Sequence, residues 1–297
     1  MSRRNKKGRL ISGLIHLTYW LPRFVVKSIG CFFGYLGQLL NARNARVVDR
    51  NLELCYPEYS LEKRKQIATK LITHNALLSK EVATAWVGSE ESIRNYISGV
   101  SGEEIVKAAS ENNQPLVICV PHIGNWEFFW HWLQMNYPAI SMYSPAQYES
   151  LDKMMLDARQ RFGGRPFATD NKGIMGLLRA LKKGGMMMIL PDQVPKNEGG
   201  VFAPFFGIEV FTMTLVHKFV EKTGAQLCFG TCIRQPDSKY QVELEKANFD
   251  SVNLDAEMFC GLMNKQLEKI ITRNPEQYQW NYKRFKRLPD GSDIYRN

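Results

Sequence analysis

The residues best suited to chemistry in this 297-residue chain are His122 and Glu127, set in the string Val120-Pro121-His122-Ile123-Gly124-Asn125-Trp126-Glu127. Imidazole titrates near neutrality, so it can take a proton from a poor nucleophile and later return it. A carboxylate within reach fixes the ring's tautomer and stabilises its protonated form without itself becoming protonated. Gly124 leaves room for a substrate between the two. The pair is therefore expected to be a general base and its orienting partner.

Such a pair works only if the backbone holds it. Leu116 to Val120 is an uninterrupted apolar run after Pro115, which reads as a buried strand that Pro121 stops. Gly124 and Asn125 supply a turn and a helix N-cap, so Glu127 falls in the first helical turn, where the dipole favours a carboxylate. His122 then stands on the loop at the strand's carboxyl end. Upstream, Ser60 caps a helix reaching Trp86, with Glu62 in its first turn and Ile67, Leu71, Leu78 and Val82 as its apolar stripe. A further helix, Gly102 to Glu111, leads into the strand. Downstream, strands are expected at Ala139 to Tyr143, Met186 to Leu190, Ala225 to Ile233 and Tyr240 to Leu244. Helices are expected at Tyr148 to Phe162, Asn171 to Lys182, Thr212 to Thr223 (closed by Gly224) and Leu254 to Arg273. Strands alternating with helices of this length make βαβ units, so the fold class is α/β, a single domain with a mixed, largely parallel sheet flanked by helices.

In such folds the active site lies beyond the carboxyl ends of the strands. Met186 to Leu190 should end at Pro191, which leaves Asp192 and Gln193 at a strand tip in the same layer as His122. An Asp-Gln pair there serves a site or caps a turn. The helix from Tyr148 presents Arg159, with Arg161 two residues on and Gly163-Gly164 opening access. Either arginine, or the backbone N–H groups of the Gly124-Asn125 turn, can supply donors for a developing negative charge. Phe128, Phe129, Trp130 and Trp132 border a substrate tunnel or, more in keeping with their spacing, fill the core. No Gly-x-Ser-x-Gly string occurs, which argues against a serine acyl-enzyme.

The six cysteines form no Cys-x-x-Cys pair and the five histidines are scattered. Neither a structural nor a catalytic metal is expected, and the thiols, several inside apolar runs, read as reduced core residues in a cytoplasmic setting. The net charge is +10. Residues 1 to 27 carry seven basic side chains (Arg3, Arg4, Lys6, Lys7, Arg9, Arg23, Lys27) and no acidic one, and Lys283, Arg284, Lys286 and Arg287 add four more, so the remainder is nearly balanced. No helix-turn-helix, zinc-finger or RNP-like string accompanies these charges, which argues against a nucleic-acid partner. From Leu10 to Leu40 the chain is mostly apolar, but Pro22, Arg23 and Lys27 cut it into runs shorter than the roughly 20 residues of a span. It continues past any small-residue cleavage site, unlike a signal peptide. An interfacial helix, a short snorkelling span and a buried N-terminal helix are the readings, with Arg3 to Arg9 drawn to anionic lipids in the first two. Gly30, Gly34 and Gly37 would let this segment pack closely against a neighbour. The expected division is a membrane-associating segment over 1–42 and a catalytic domain over 43–297.

The string His122-Ile-Gly-Asn-Trp-Glu127 resembles the signature of the lipid A late (secondary) acyltransferases, a histidine followed after four residues by an acidic residue. The similarity continues through Arg159-Gln-Arg161-Phe-Gly-Gly-Arg165, Leu190-Pro-Asp192-Gln193, Pro204-Phe-Phe-Gly207 and Gln279-Trp-Asn-Tyr-Lys-Arg-Phe-Lys286, in the family's order. The resemblance implies an acyltransferase without a cofactor, in which His122 and Glu127 are catalytic and Arg159, Arg161, Asp192, Gln193 and Asn125 bind substrate or the oxyanion. It implies acyl carrier protein as donor and a Kdo-bearing lipid A precursor as acceptor. It places the enzyme on the cytoplasmic face of the inner membrane, in contact with anionic lipids. The alternatives are an acyltransferase acting on a lysophospholipid, aminolipid or glycolipid, and a non-catalytic peripheral membrane protein. A glutamate at the second motif position does not separate lauroyl-type from myristoyl-type enzymes.

Overall fold

A computed structural model describes residues 3–195 and 198–295, with side chains from residue 6 onward, so the side chains of Arg3 and Arg4 in the expected basic cluster fall outside it. Helices come first: α1 (Arg3–Trp20), α2 (Arg23–Leu39), α3 (Arg43–Cys55), the long α4 (Leu61–Val87) and the short α5 (Glu90–Arg94). There follow β1 (Ile97–Ser101), α6 (Glu103–Glu111), β2 (Leu116–Cys119), α7 (Trp126–Asn136), β3 (Ala139–Tyr143), α8 (Glu149–Gln160), β4 (Arg165–Ala168), α9 (Asn171–Lys182) and β5 (Met186–Ile189). A hairpin, β6 (Gly200–Phe205) and β7 (Ile208–Met213), precedes α10 (Leu215–Thr223), β8 (Gln226–Arg234), β9 (Tyr240–Lys246) and α11 (Ala256–Arg273).

The main sheet runs β1-β9-β8-β2-β5-β3-β4 and is parallel except where β8 meets β9. Its central strands are apolar on both faces because both are covered. Val117, Cys119, Met187 and Ile189 point to one core, built with α3, α9, α10 and α11; Leu116, Ile118, Val120, Met186 and Met188 point to the other, built with α6 and α7. Phe128, Phe129 and Trp132 lie in that second core, as their spacing suggested. Local chemistry sets the helix ends. Ser60, Asn125, Asp170 and Asp255 each accept a hydrogen bond from the amide three residues on, and Gly224, at φ +65, closes α10.

The expected elements recur with small shifts, and four strands had no counterpart. β1 is rich in small polar residues and β4 carries a proline; both are short edge strands, where an unpaired backbone edge tolerates what a central strand does not. β6 and β7 pair only with each other, and Thr212 and Met213 complete β7, so α10 starts three residues later than expected. Among the described residues no helix is long and apolar enough to cross a membrane. Instead α1 packs on α4 and α8, and α2 packs on α4. Gly30 and Gly34 make that approach possible: a Cβ at Gly30 would come within 2.6 Å of the Ala76 Cβ, and one at Gly34 would strike Ile72. The outward faces stay apolar, with Leu10, Leu14, Leu17 and Trp20 of α1 exposed beside Phe24, Phe32, Phe33 and Leu39 of α2.

Candidate active site

The register of β2 on β5 builds the site. Cys119 pairs with Ile189, and three residues beyond each come His122 and Asp192. His122 Nδ1 lies 2.7 Å from Asp192 Oδ1, and the His122 amide donates to Asp192 Oδ2 at 2.9 Å. Burial alone would push the Asp192 carboxyl up, but the imidazole's charge and these bonds outweigh it and hold it below the usual carboxylate range. An ionised carboxylate only accepts, so Nδ1 carries the hydrogen and Nε2 is the basic nitrogen. The Gln193 amide donates toward Nε2 at 3.2 Å and to Gln279 Oε1 at 3.1 Å. Trp126 meets the imidazole edge-on, with ring centroids 5.1 Å apart.

Glu127 differs from the expected role. It does lie in the first turn of α7, but its hydrogen bonds go to Arg159, at 2.5 Å from Nη2 to Oε1 and 3.4 Å from Nε to Oε2. The orienting carboxylate of His122 is Asp192, supplied by the neighbouring strand, because α7 turns Glu127 toward the last turn of α8. Burial raises the Glu127 carboxyl, and the Arg159 charge and its hydrogen bonds more than reverse that. Both groups are therefore ionised, a buried pair with bidentate geometry. The guanidinium is anchored by Nε and Nη2, and Arg159 lines the same cavity as His122, Glu127 and Gln193. That cavity, about 360 Å³, is also lined by Trp130, Met142, Met155 and Met188, which give it an apolar wall.

Two other residues of the expected site make their contacts elsewhere. Arg161 donates to the Gly88 and Trp86 carbonyls at the end of α4, so it ties that helix's C-terminus and is not a lining residue. Asn125 is the N-cap of α7 through its bond from Phe128 N. The amides of the Gly124-Asn125 turn donate to the Gln277 and Cys232 carbonyls, so they are not oxyanion donors. Gly124 itself is required: it sits at φ +59, where a Cβ would collide with the Cys232 carbonyl oxygen. The basic string near the carboxyl end is only partly a surface feature: Lys286 is exposed and Lys283 half-buried. Arg284 is buried, donating to the Phe211 carbonyl and the Thr212 hydroxyl, and Arg287 lies over the Phe211 ring.

Gln279, whose own amide donates to the His122 carbonyl, had no assigned role. Its only signal in the sequence was membership of the Gln279 to Lys286 motif, because no spacing rule links positions so far apart in the chain.

Residues 9–287 match the family model described as bacterial lipid A biosynthesis acyltransferase. The chain is 30% identical over 281 residues to the lipid A biosynthesis lauroyltransferase of Escherichia coli (strain K12), covering 94% of this chain and 91% of that one. It is 28% identical to the palmitoleoyltransferase of the same organism, over 95% of this chain and 92% of the relative. It is 25% identical to the myristoyltransferase, over 91% and 83%. With the motif histidine at a strand tip, an ionised carboxylate on its Nδ1 and an apolar cavity beside it, the chain is an acyltransferase and belongs to the bacterial lipid A biosynthesis acyltransferase family.

Proposed function

We propose that this enzyme moves a fatty acyl chain from acyl carrier protein to a hydroxyl of a Kdo-bearing lipid A precursor, at the cytoplasmic face of the inner membrane. The observation that carries the reading is the His122–Asp192 pair opening on the same cavity as the Glu127–Arg159 pair. The acceptor hydroxyl takes the place of the Gln193 amide at Nε2 and gives its proton to the imidazole. Its oxygen attacks the thioester carbonyl, and the Arg159 guanidinium balances the charge that develops on the carbonyl oxygen. Collapse of the tetrahedral species breaks the carbon–sulfur bond, and the leaving thiolate takes the proton from His122. No covalent acyl-enzyme is required. Glu127 acts by positioning Arg159, and Asp192 by holding the imidazole with Nε2 toward the cavity.

The donor and acceptor follow from chemistry as well as from kinship. Acyl carrier protein is acidic and the acceptor bears phosphates, so a chain of net charge +10 attracts both. The relatives are named for three acyl chains at similar identity, so chain length is a property to measure. The test is to incubate the purified full chain with acyl carrier protein or coenzyme A thioesters and with the Kdo-bearing precursor or a lysophospholipid, then read product mass. A gain of one acyl group on the precursor, from the carrier-protein thioester, is expected. Preferred acylation of the lysophospholipid would assign the enzyme to another membrane lipid.

A further inference from the structure

A second cavity, about 190 Å³, lies away from the catalytic histidine, between α3 and the carboxyl-terminal segment. Arg43, Arg46 and Arg50 line it from one face of α3, and Lys283 and Tyr295 close it from the other side. Among the described residues no carboxylate lines it. Of the acidic groups close by, Glu53 accepts from Arg50 at 2.7 Å on the exposed side of the helix and offsets part of that charge, and Asp293 accepts from the Tyr295 amide. Arg46 donates to the Asn41 carbonyl, and the Lys283 ammonium stands 4.9 Å from the Tyr295 ring centroid. Ala42 offers no side-chain cap, so the positive end of the α3 dipole adds to the four cations. A concave site with this composition takes an anion with several oxygens, such as a phosphate.

What precedes α3 says where that phosphate comes from. Leu39 and Leu40 are 82% and 69% exposed, and Phe32 and Phe33 of the same helix are exposed as well. The chain passes from Leu40 to Arg43 in three residues, at most about 10 Å of backbone. An interfacial helix sinks roughly 5–10 Å below the headgroup level, so leucines among acyl chains put these arginines among phosphates. We infer that Arg43, Arg46, Arg50 and Lys283 form a binding site for the phosphate of an anionic membrane lipid, seated where the α2–α3 corner enters the bilayer surface. The inference rests on the membrane reading of the proposed function and adds to it a defined headgroup site.

The test uses the full chain and vesicles of phosphatidylcholine with or without phosphatidylglycerol. Arg43→Gln with Lys283→Gln should reduce binding to the anionic vesicles by about fivefold for each lost charge. Binding to neutral vesicles and turnover in detergent should not change. Lys172→Gln with Lys182→Gln, two exposed charges on α9, should change anionic binding by less than twofold. Thermal unfolding of both double variants checks that they fold, and Arg43→Gln alone serves if the first pair does not. Equal losses in the two pairs would replace the site with a net-charge effect, and no loss in the first pair would remove it. Unchanged vesicle binding with a raised KM for acyl carrier protein would assign the cluster to the acidic donor instead. A wild-type chain that ignores vesicles altogether would sink the membrane reading, whereas a binding wild type with an equally binding variant would sink only the site.

Discussion

At the scale of single residues, the two carboxylates near His122 do different work, and kinetics can separate them. Asp192 holds the Nδ1 hydrogen, so Asp192→Asn should keep the fold but lower kcat on the order of 10⁴-fold by disturbing the tautomer, approaching the loss in His122→Ala. Near-wild-type turnover in Asp192→Asn would return the orienting role to Glu127. Glu127 acts through Arg159 at 2.5 Å, so Glu127→Gln and Arg159→Ala should each cost on the order of 10²-fold or more, and the double variant little beyond the worse single one. Multiplying losses would show that the two act independently. Gln193 differs again, because its amide sits where the proposed mechanism puts the acceptor hydroxyl. A base held by a weak neutral donor is kept in the right orientation until substrate displaces it.

At the scale of elements, the site is a product of register and of helix ends. Arg161, two residues from Arg159, ties α8 to the last carbonyls of α4. Arg161→Ala should therefore lower stability by about 1 kcal/mol, seen as a reduced urea midpoint, with KM and kcat within about twofold of wild type. A kinetic loss matching that of Arg159→Ala would put Arg161 in the site after all. This division of labour was not legible in the sequence, where both arginines stand in one motif; which one faces inward depends on how far α8 runs before Gly163. What was legible had local causes. The apolar run Leu116 to Val120, the Asn125 cap and the position of Glu127 follow from neighbouring residues, and so do α9 and β3, whose bounds came out as expected. The His122–Asp192 contact depends on β2 lying beside β5 in one register, which no local pattern encodes. Asp192 was placed in the correct layer but not paired with His122 for that reason.

At the scale of the molecule, stability and the proposed membrane attachment share α4. His74 on α4 and His131 on α7 are buried; burial pushes them down to about 3 and about 4, with the Arg234 charge opposing protonation of His74 further and the Glu127 charge offsetting part of the effect at His131. In the unfolded chain both titrate near 6.5, so below that pH the unfolded state binds protons that the folded state refuses. Their contribution is whole above about pH 6.5 and is lost as pH falls toward the folded values, up to a few kcal/mol for each. Urea midpoints should fall between pH 7 and 5, and His131→Gln should flatten that slope; an unchanged slope would mean that this histidine is solvated. The other face of the same assembly is apolar and open. On α2, Gly30 and Gly34 meet α4 while Phe32, Leu39 and Leu40 are exposed, and Arg23 reaches in to pair with the buried Glu81 at 3.2 Å. Deleting residues 1–42 would strip Ala76 and Ile72 of their cover and remove that ion pair, so a dead, aggregated truncation would say nothing about a membrane. Phe32→Gln, Leu39→Gln and Leu40→Gln together leave the inward face alone and should cost little stability, since exposed positions rarely exceed about 0.5 kcal/mol each. The triple variant should move to the soluble fraction and show a raised KM for vesicle-embedded acceptor, with kcat in detergent close to wild type. If it partitions as the wild type does, the open face of α2 is not what holds the enzyme to lipid, and α1, with Leu10, Leu14, Leu17 and Trp20 exposed, becomes the element to change.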